Sequence, residues 1–258
     1  MQDAAAAPGL PELNDALFEW YRANRRDLPW RRTTDPYAIL VSEVMLQQTQ
    51  VARVAPRYEA WLARWPTAAS LAAAPVADVL REWVGLGYNR RALRLREACA
   101  VVARDGWPED LRTLPGVGPY TAAAVAAFAF GRDTVALDTN VRRLFRRLGR
   151  ELAPRRGEGP LFNQATIELG ALVCRARAPR CPSCPFAVAC AWDGDEVRER
   201  RPEARFEDTD RWVRGRVVAA LAAGEALPAV EPERLERALA GLVQDGLIRR
   251  DGDALRLG

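Results

Sequence analysis

Four of the five cysteines in this 258-residue chain are concentrated in one short segment, CRARAPRCPSCPFAVAC. They are Cys174, Cys181, Cys184 and Cys190. Thiolates this close in sequence, with prolines that force turns between them, are typical of a four-cysteine metal site. The spacing therefore predicts a metal centre held by these four side chains.

Two disulfides are the alternative use of these cysteines. Disulfides are typical of secreted proteins, and the N-terminal segment MQDAAAAPGL has no basic region followed by an apolar run, so we expect no signal peptide. Zinc sites usually combine two C-x2–4-C pairs, whereas here one C-x2-C is flanked by two longer spacings. The pattern favours a [4Fe-4S] cluster and leaves zinc open; Cys99, outside the segment, is predicted to be an ordinary buried thiol.

The basic side chains restrict the chemistry available to this chain. All 38 are arginines, against 34 acidic side chains, which gives a formal net charge of +4 with no lysine and no histidine. Histidine bases and lysine Schiff bases are thereby excluded, so acid–base steps are left to Asp, Glu, Tyr or water. The clusters Arg90–Arg91 and Arg142-Arg143-x-x-Arg146-Arg147 are either phosphate contacts or solvated helix faces.

Glu43 lies in the segment AILVSEVML, which is apolar on nearly every face of a helix. A helix of this kind is buried, and a buried carboxyl group is costly unless it is used. Desolvation would raise the pKa of Glu43, giving an acid that is still protonated near neutral pH. The alternative is a buried glutamate paired with an arginine.

Asp138 precedes the helical segment TNVRRLF and is predicted to be its N-cap. The N–H groups and the dipole of the helix would also keep this carboxylate ionised. One carboxyl group that stays protonated and another that stays ionised would divide the roles of acid and anionic stabiliser.

The segment LPGVGPYTA predicts a tight turn that opens a helix, with Gly116 and Gly118 on either side of Val117 and Pro119 at the first helical position. Exposed N–H groups at a helix N-terminus bind phosphate. A plain connection between two helices is the alternative interpretation.

Proline and glycine punctuation predicts an almost wholly helical chain. The expected helices span residues 14–24, 36–48, 51–64, 67–72, 76–83, 90–104, 109–113, 119–130, 139–149 and 160–175. Residues 196–210 are charged and predicted to be a linker. Residues 211–258 contain two amphipathic helices and a hairpin around Asp251-Gly252, a small winged-helix-like module.

Six motifs stand in order before the cysteines: LPWR (28–31), SEVMLQQTQV (42–51), GLGY (85–88), LPGVGPYTA (114–122), LDTNVRR (137–143) and FNQATIELGALVC (162–174). Together they resemble the adenine DNA glycosylase (MutY-type) branch of the helix-hairpin-helix glycosylases, the endonuclease III superfamily. The resemblance covers roughly residues 13–195. It implies an all-α fold of two lobes with a [4Fe-4S] cluster loop, and the DNA in the cleft between the lobes.

The resemblance also implies a domain division. The glycosylase core would span residues 1–195. Its six-helix barrel would be formed by about 35–138, including the hairpin at 114–119. The cluster lobe would combine about 10–34 with 139–195.

The resemblance assigns roles to individual residues. Glu43 would protonate N7 of adenine and later activate water, Asp138 would stabilise the oxocarbenium sugar, and Tyr120 and Asn140 would hold these groups in place. Around the flipped adenine, the resemblance places Arg26, Arg31 and Glu168. Near the opposite base, it places a wedge formed by Gln47, Gln48, Thr49, Leu86 and Tyr88. It implies further DNA contacts at Leu28, Gly116 and Gly118, and a structural and DNA-docking role for the four cluster cysteines.

The implied activity is that of a monofunctional glycosylase, because Tyr120 stands where lyases of the superfamily place their lysine. Its partner would be double-stranded DNA with a flipped adenine opposite 8-oxoguanine or guanine. We expect a monomer of the bacterial cytoplasm, associated with the nucleoid and not with a membrane. Two features depart from the family: Asn89 follows Tyr88 where many relatives have a second tyrosine, and residues 211–258 are too few for a NUDIX-like domain.

Three alternatives remain at this stage. A thymine/uracil mismatch glycosylase of the same superfamily also accommodates Tyr120, although Glu168 and the Gln47–Thr49 run favour adenine. A lyase of the endonuclease III type is disfavoured by Tyr120. A non-catalytic iron–sulfur regulator is suggested by the C-terminal module, but the presence of both Glu43 and Asp138 argues against it.

Overall fold

The computed structural model describes residues 9–194, 205–252 and 254–258. Its helices are α1 (Leu10–Asn24), α2 (Pro36–Leu46), α3 (Val51–Arg64), α4 (Ala68–Ala73), α5 (Val76–Trp83), α6 (Arg90–Asp105), α7 (Pro119–Phe130), α8 (Thr139–Leu148), α9 (Gly159–Leu172), α10 (Asp210–Ala223) and α11 (Pro232–Gln244). Strands β1 (Ile248–Asp251) and β2 (Ala254–Leu257) form an antiparallel hairpin in which Ile248 lies opposite Leu257. Most of the predicted linker lies outside the described residues.

The predicted helical fold is confirmed, and two of the differences in helix extent have local causes. Helix α2 stops at Leu46 because Gln48 adopts a left-handed backbone conformation, with φ +57°. The segment expected as a helix at 109–113 contains only a 3-10 turn, Leu111–Thr113, whose N-cap Asp110 accepts a hydrogen bond from the N–H group of Arg112.

The described residues pack as two compact units, and each unit is built from two separate stretches of chain. The first combines residues 9–39 with 118–194. The second combines residues 40–117 with 205–258, so the C-terminal module belongs to the same unit as helices α3 to α6.

In the first unit, helices α1, α7 and α8 all pack against α9. The core formed by α1, α8 and α9 is apolar; among its buried residues are Leu17, Phe18, Tyr21, Val141, Leu144, Phe162 and Leu169. Gly170 permits a close approach of α9 to the start of α8, since a Cβ atom at this position would lie 2.9 Å from Cβ of Asn140. This packing fixes the N-terminus of α8, which carries Asp138.

In the second unit, α6 packs against α4 and α5, and α10 packs against α5, α11 and β2. Trp61 is at its centre: its ring meets those of Trp65 and Trp83 edge to face, with centroids 4.6 and 5.4 Å apart. The apolar side chains of the C-terminal module, such as Val217 and Leu242, are fully buried. Burial of this kind contributes about 1.5–3 kcal/mol per large aliphatic side chain, so the module is an integral part of the second unit.

Among the described residues, no helix has both the length and the apolar character needed to cross a membrane.

Candidate functional site

Glu43 lies in α2, in the second unit, and only 5% of its surface is exposed. The apolar residues around it in the helix, including Leu40, Val41, Val44 and Met45, are buried as well. The predicted burial of Glu43 is therefore confirmed. A carboxyl group withdrawn from water in this way can serve as a proton donor if it is held in its neutral form.

Asp138 is the N-cap of α8, as predicted. Its Oδ1 atom accepts hydrogen bonds from the backbone N–H groups of Asn140 and Val141, at 2.8 and 2.7 Å. Its Oδ2 atom accepts a third from Nδ2 of Asn140, at 2.8 Å. The structure thus brings together two of the residues that the resemblance singles out, and it fixes both oxygens of the carboxylate.

Asn140 is held in turn by Arg143. The guanidinium of Arg143 donates to Oδ1 of Asn140 at 3.0 Å, to the Gly170 carbonyl at 2.8 Å and to the Cys174 carbonyl at 2.8 Å. Arg143 is therefore a connector between α8, α9 and the first cysteine of the cluster segment. The two sequence interpretations of this arginine, a phosphate contact or a solvated residue, did not include this connecting role.

Tyr120 lies in the first turn of α7, which begins at Pro119 as predicted. Gly118 is the N-cap of this helix, and a Cβ atom there would meet no other atom within 4 Å. Gly116, in the second unit, has φ +76°, and a Cβ atom would lie 2.7 Å from Cβ of Arg94. Only glycine satisfies both conditions at Gly116.

Glu168 lies in α9, is completely buried, and is surrounded by two arginines. It accepts hydrogen bonds from the backbone N–H group and the guanidinium of Arg26, at 2.7–2.9 Å, and from the guanidinium of Arg31, at 2.8 and 3.2 Å. Burial by itself would raise the pKa of Glu168, but the hydrogen bonds from Arg26 and Arg31 outweigh it and lower the pKa to about 2. The site therefore holds a permanent carboxylate between two guanidinium groups.

The surroundings of this carboxylate are also ordered. The guanidinium of Arg31 lies over the ring of Tyr21, 5.6 Å from its centroid, and the Tyr21 hydroxyl donates to Gln164 at 2.7 Å. Leu28 is 8% exposed and directly precedes the 3-10 turn that carries Arg31. The three residues implied around adenine, Arg26, Arg31 and Glu168, therefore form a single cluster.

The five wedge residues lie in two neighbouring segments of the second unit. One is the turn after α2, with Gln47, Gln48 and Thr49; the other is the loop before α6, with Leu86 and Tyr88. The Thr49 hydroxyl donates to the Leu86 carbonyl at 3.2 Å. Gln48 and Tyr88 have positive φ values, +57° and +47°. Tyr88 is 44% exposed, whereas Leu86 is buried.

Arg91 joins these two segments, a role that the sequence analysis missed when it took Arg91 as a phosphate contact or a solvated residue. Its guanidinium donates to the carbonyls of Val44 and Gln47 on one side, and to those of Leu86 and Gly87 on the other, at 2.5–3.0 Å. Burial lowers the pKa of Arg91 to about 10. The sequence contained a signal of this role. The carbonyl groups at the end of an apolar segment that has no cap of its own need donors from elsewhere in the chain.

The four cysteines of the cluster segment line one small cavity of about 100 Å³ in the first unit. All five cysteines of the chain are free thiols. Burial raises the pKa of Cys184 to about 11, and that of Cys99, far from this cavity in sequence, to about 12. Within the described residues, no three Asp, Glu, His or Cys side chains are arranged to hold one metal ion.

Arg147 is the charged neighbour of this cavity, and only 4% of it is exposed. Its guanidinium donates to Sγ of Cys174 at 3.7 Å and to the Arg175 carbonyl at 2.7 Å, and it lies 4.1 Å from the ring centroid of Trp192. The thiol of Cys190 donates to the Arg147 carbonyl at 3.3 Å. Arg147 thus supplies positive charge where thiolates would gather.

Comparison with known proteins relates the chain to DNA repair enzymes. Residues 41–156 match the model of the HhH-GPD superfamily of base excision DNA repair proteins. The adenine DNA glycosylase of Mycobacterium tuberculosis (strain ATCC 25618 / H37Rv) is 43% identical over 277 residues, covering 92% of this chain and 90% of its own length. The Homo sapiens adenine DNA glycosylase is 40% identical over 209 residues, covering 68% of this chain and 38% of its own.

Two solved structures share the fold. A thermostable thymine-DNA glycosylase superposes with a TM-score of 0.65 and 27% identity, covering 70% of this chain and 96% of its own. An endonuclease III–DNA covalent intermediate superposes with a TM-score of 0.59 at 24% identity, covering 71% of this chain and 96% of its own.

Proposed function

We propose, because the chain belongs to the adenine DNA glycosylase family within the HhH-GPD superfamily, that it hydrolyses the N-glycosidic bond of adenine mispaired with 8-oxoguanine or guanine in double-stranded DNA. The observation that carries this proposal is the 43% identity to an adenine DNA glycosylase over 92% of the chain. The buried Glu43 and the capped Asp138 supply the two carboxyl groups that the reaction needs.

The proposed reaction begins with extrusion of the adenine nucleotide from the duplex. Glu43 donates its proton to N7 of adenine, so that the bond between N9 and C1′ breaks with the electron pair on the leaving base. The Asp138 carboxylate stabilises the resulting oxocarbenium ion. Glu43, now ionised, takes a proton from water as the water oxygen bonds to C1′.

The carboxylate of Asp138 must keep a fixed orientation toward the sugar during this sequence. Its three hydrogen-bond donors come from the start of α8, and Arg143 holds the side chain of Asn140 in place. We assign Asn140 a positioning role on these contacts, and we assign Tyr120 the same role on its place in the first turn of α7. A carboxylate that is already oriented loses no free energy to reorganisation in the transition state.

The cluster of Glu168, Arg26 and Arg31 would recognise the extruded base. The Glu168 carboxylate, with a pKa of about 2, is ionised at neutral pH and would hold the guanidinium groups of Arg26 and Arg31 in place beside the base. The two guanidinium groups can donate to ring nitrogens. Adenine has acceptor nitrogens in its rings, whereas the ring nitrogens of thymine and uracil carry a hydrogen or the sugar, so guanidinium donors favour adenine over both.

Strand cleavage is not part of the proposed activity. A lyase of this superfamily needs an amine to form a Schiff base, the chain has no lysine, and position 120 is a tyrosine. The product should be an intact abasic strand that breaks only on later treatment with alkali or heat. Borohydride would reveal the opposite result by trapping the protein covalently on abasic DNA.

A [4Fe-4S] cluster held by Cys174, Cys181, Cys184 and Cys190 fits the cluster segment. The four free thiols line one cavity, and the buried guanidinium of Arg147 beside Cys174 would balance the negative charge of a cluster held there. Once bound, the cluster would hold this segment in place for docking on DNA. The protein would act as a monomer on mispaired DNA at the bacterial nucleoid, in the cytoplasm.

A second candidate is excision of thymine or uracil from mismatches, because the thymine-DNA glycosylase structure shares the fold at 27% identity. Single-turnover excision on duplexes containing A:8-oxoG, A:G, T:G and U:G separates the two. We expect base excision from the two adenine-containing duplexes alone. Excision confined to T:G and U:G would refute the proposal.

Glu43→Gln provides the matched control for this assay. The amide keeps the shape of the side chain but can neither donate nor accept the required proton, so excision should fall at least about 100-fold while DNA binding persists. Near-wild-type excision by this variant would show that the acid lies elsewhere or that a contaminating enzyme is responsible.

A further inference from the structure

The second unit contains an open groove of about 1080 Å³, and one of its walls belongs to the C-terminal module. Gln47, Gln48 and Tyr88 of the wedge line it, together with Gly116 of the hairpin turn. Helix α10 contributes further lining residues between Arg211 and Ala219. This helix lies outside residues 41–156, the segment that the superfamily model matches.

The groove is strongly basic. Seven of the described residues that line it are arginines and only one, Asp245, is acidic; the arginines are Arg53, Arg90, Arg91, Arg94, Arg211, Arg214 and Arg216. Asp245 pairs with Arg90, at 3.2 Å, and with Arg214, so its charge is already compensated. An open basic groove of this kind attracts a polyanion.

Four of these arginines form no ion pair within the described part of the chain: Arg91, whose guanidinium donates to backbone carbonyls, and Arg53, Arg211 and Arg216. The side chains of Arg53, Arg211 and Arg216 are exposed, so each can reach a ligand without breaking an ion pair. Arg211 and Arg216 lie on α10, and Arg53, which also lines the groove, lies on α3. Fixed guanidinium groups that lack an anion are suited to phosphate.

Arg211 also connects the module to the wedge. Its guanidinium donates a hydrogen bond to the Tyr88 hydroxyl and lies 5.0 Å from the centroids of the rings of Tyr88 and Phe206. Tyr88 is exposed and has a positive φ value, a conformation that costs free energy in a non-glycine residue. Arg211 therefore stabilises an exposed aromatic side chain on a strained backbone at the edge of the groove.

We propose that helix α10 of the C-terminal module is part of the DNA-binding surface, with Arg211 and Arg216 bound to backbone phosphates of the duplex. The surface is continuous from the Gly116 turn through the wedge to α10. The choice of duplex DNA as the ligand rests on the proposed function. Contacts to phosphates add affinity without sequence preference, which suits an enzyme that must scan DNA for mispairs.

The test measures binding of the full-length, cluster-loaded protein to a fluorescent duplex with a tetrahydrofuran abasic-site analogue opposite guanine, over a range of salt concentrations. We expect Arg211→Ala and Arg216→Ala each to weaken binding several-fold. Each should also reduce the slope of log K against log salt by about one. The control is Arg250→Ala, which removes an exposed charge from β1 of the same module, outside the groove.

Arg216→Lys distinguishes a lost contact from a fold defect. It keeps the charge, so it should recover most of the affinity and of the salt dependence lost in Arg216→Ala. Wild-type affinity and slope in both alanine variants would overturn the proposal, as would an equal loss in Arg250→Ala. The proposed function fails in a different way: the protein would bind this duplex but excise no adenine from A:8-oxoG or A:G.

Discussion

The guanidinium of Arg91 donates a hydrogen bond to the backbone carbonyl of Gln47, in the turn that leaves the helix of the buried Glu43. The same group reaches the carbonyl of Val44, one residue after Glu43, at 2.7 Å. Its pKa of about 10 keeps it charged at neutral pH. One buried cation thus fixes both the end of the acid-bearing helix and the wedge.

Arg91→Gln should therefore affect stability and activity together. The shorter amide leaves several buried carbonyls without a donor, which should lower the free energy of unfolding by about 2–4 kcal/mol. Urea denaturation measures this loss, and single-turnover excision should slow as the wedge loses its anchor. Arg81→Gln, which removes an exposed i,i+3 ion pair with Asp78, should leave both quantities nearly unchanged.

Asp138 caps α8 and, in the proposed mechanism, also supplies the catalytic negative charge; two substitutions separate these roles. Asn is as good an N-cap as Asp, so Asp138→Asn should keep the stability but lose the anion, and excision should fall at least about 100-fold. Asp138→Ala should lose both the cap and the charge, and its free energy of unfolding should fall by about 1 kcal/mol. Thermal denaturation and single-turnover kinetics measure the two effects. An active Asp138→Asn variant would remove Asp138 from the mechanism.

Glu168 should produce a pH-dependent contribution to stability. Its pKa in the folded protein, about 2, lies below the ordinary value of 4.5, so ionisation favours the folded state. The contribution is complete above about pH 5 and is lost as pH falls from 4.5 toward 2. Glu168→Gln should cost about 3 kcal/mol at pH 7, because two guanidinium groups lose their carboxylate.

Denaturation at a series of pH values measures the difference in unfolding free energy between wild type and Glu168→Gln. This difference should decrease as the pH falls. A difference that is constant from pH 7 to pH 2 would contradict the assigned pKa. Glu97→Gln removes an exposed ion pair with Arg94 and should show a small difference at every pH.

The cluster segment gives a prediction about iron. Purified protein should be brown, absorb near 400 nm and contain about four irons per chain. Arg147→Leu removes the buried positive charge beside Cys174 and should lower the iron content. Arg142→Ala, an exposed arginine of the same helix, should leave it unchanged. A colourless protein with one zinc would refute the cluster.

Much of the fold could be predicted from the sequence, because helix ends are set locally. Pro36, Pro119 and the Asp138 cap each mark the start of a helix where the structure has one. The burial of Glu43 followed from the apolar residues around it. These properties depend on neighbours within a few positions in the chain, which a single sequence displays directly.

The inward-facing arginines could not be predicted in the same way. Arg91 donates to a carbonyl 47 positions away in the chain, and Arg143 to one 31 positions away. Two adjacent arginines look the same in a sequence whether one side chain is buried or both are solvated, so the sequence does not show which of them faces inward. The packing of α10 against α5 was missed for a similar reason, since an apolar helix face does not specify its partner.

Each unit is built from two separate stretches of chain, and this limits the order in which the protein can fold during synthesis. Arg26 leaves the ribosome 142 residues before Glu168, an interval on the order of ten seconds. Until then α1 has no α9 to pack against, and its apolar face, with Leu17 and Phe18, stays exposed to other nascent chains. Protection of the apolar face of α1 during synthesis therefore has to come from outside its own folded unit.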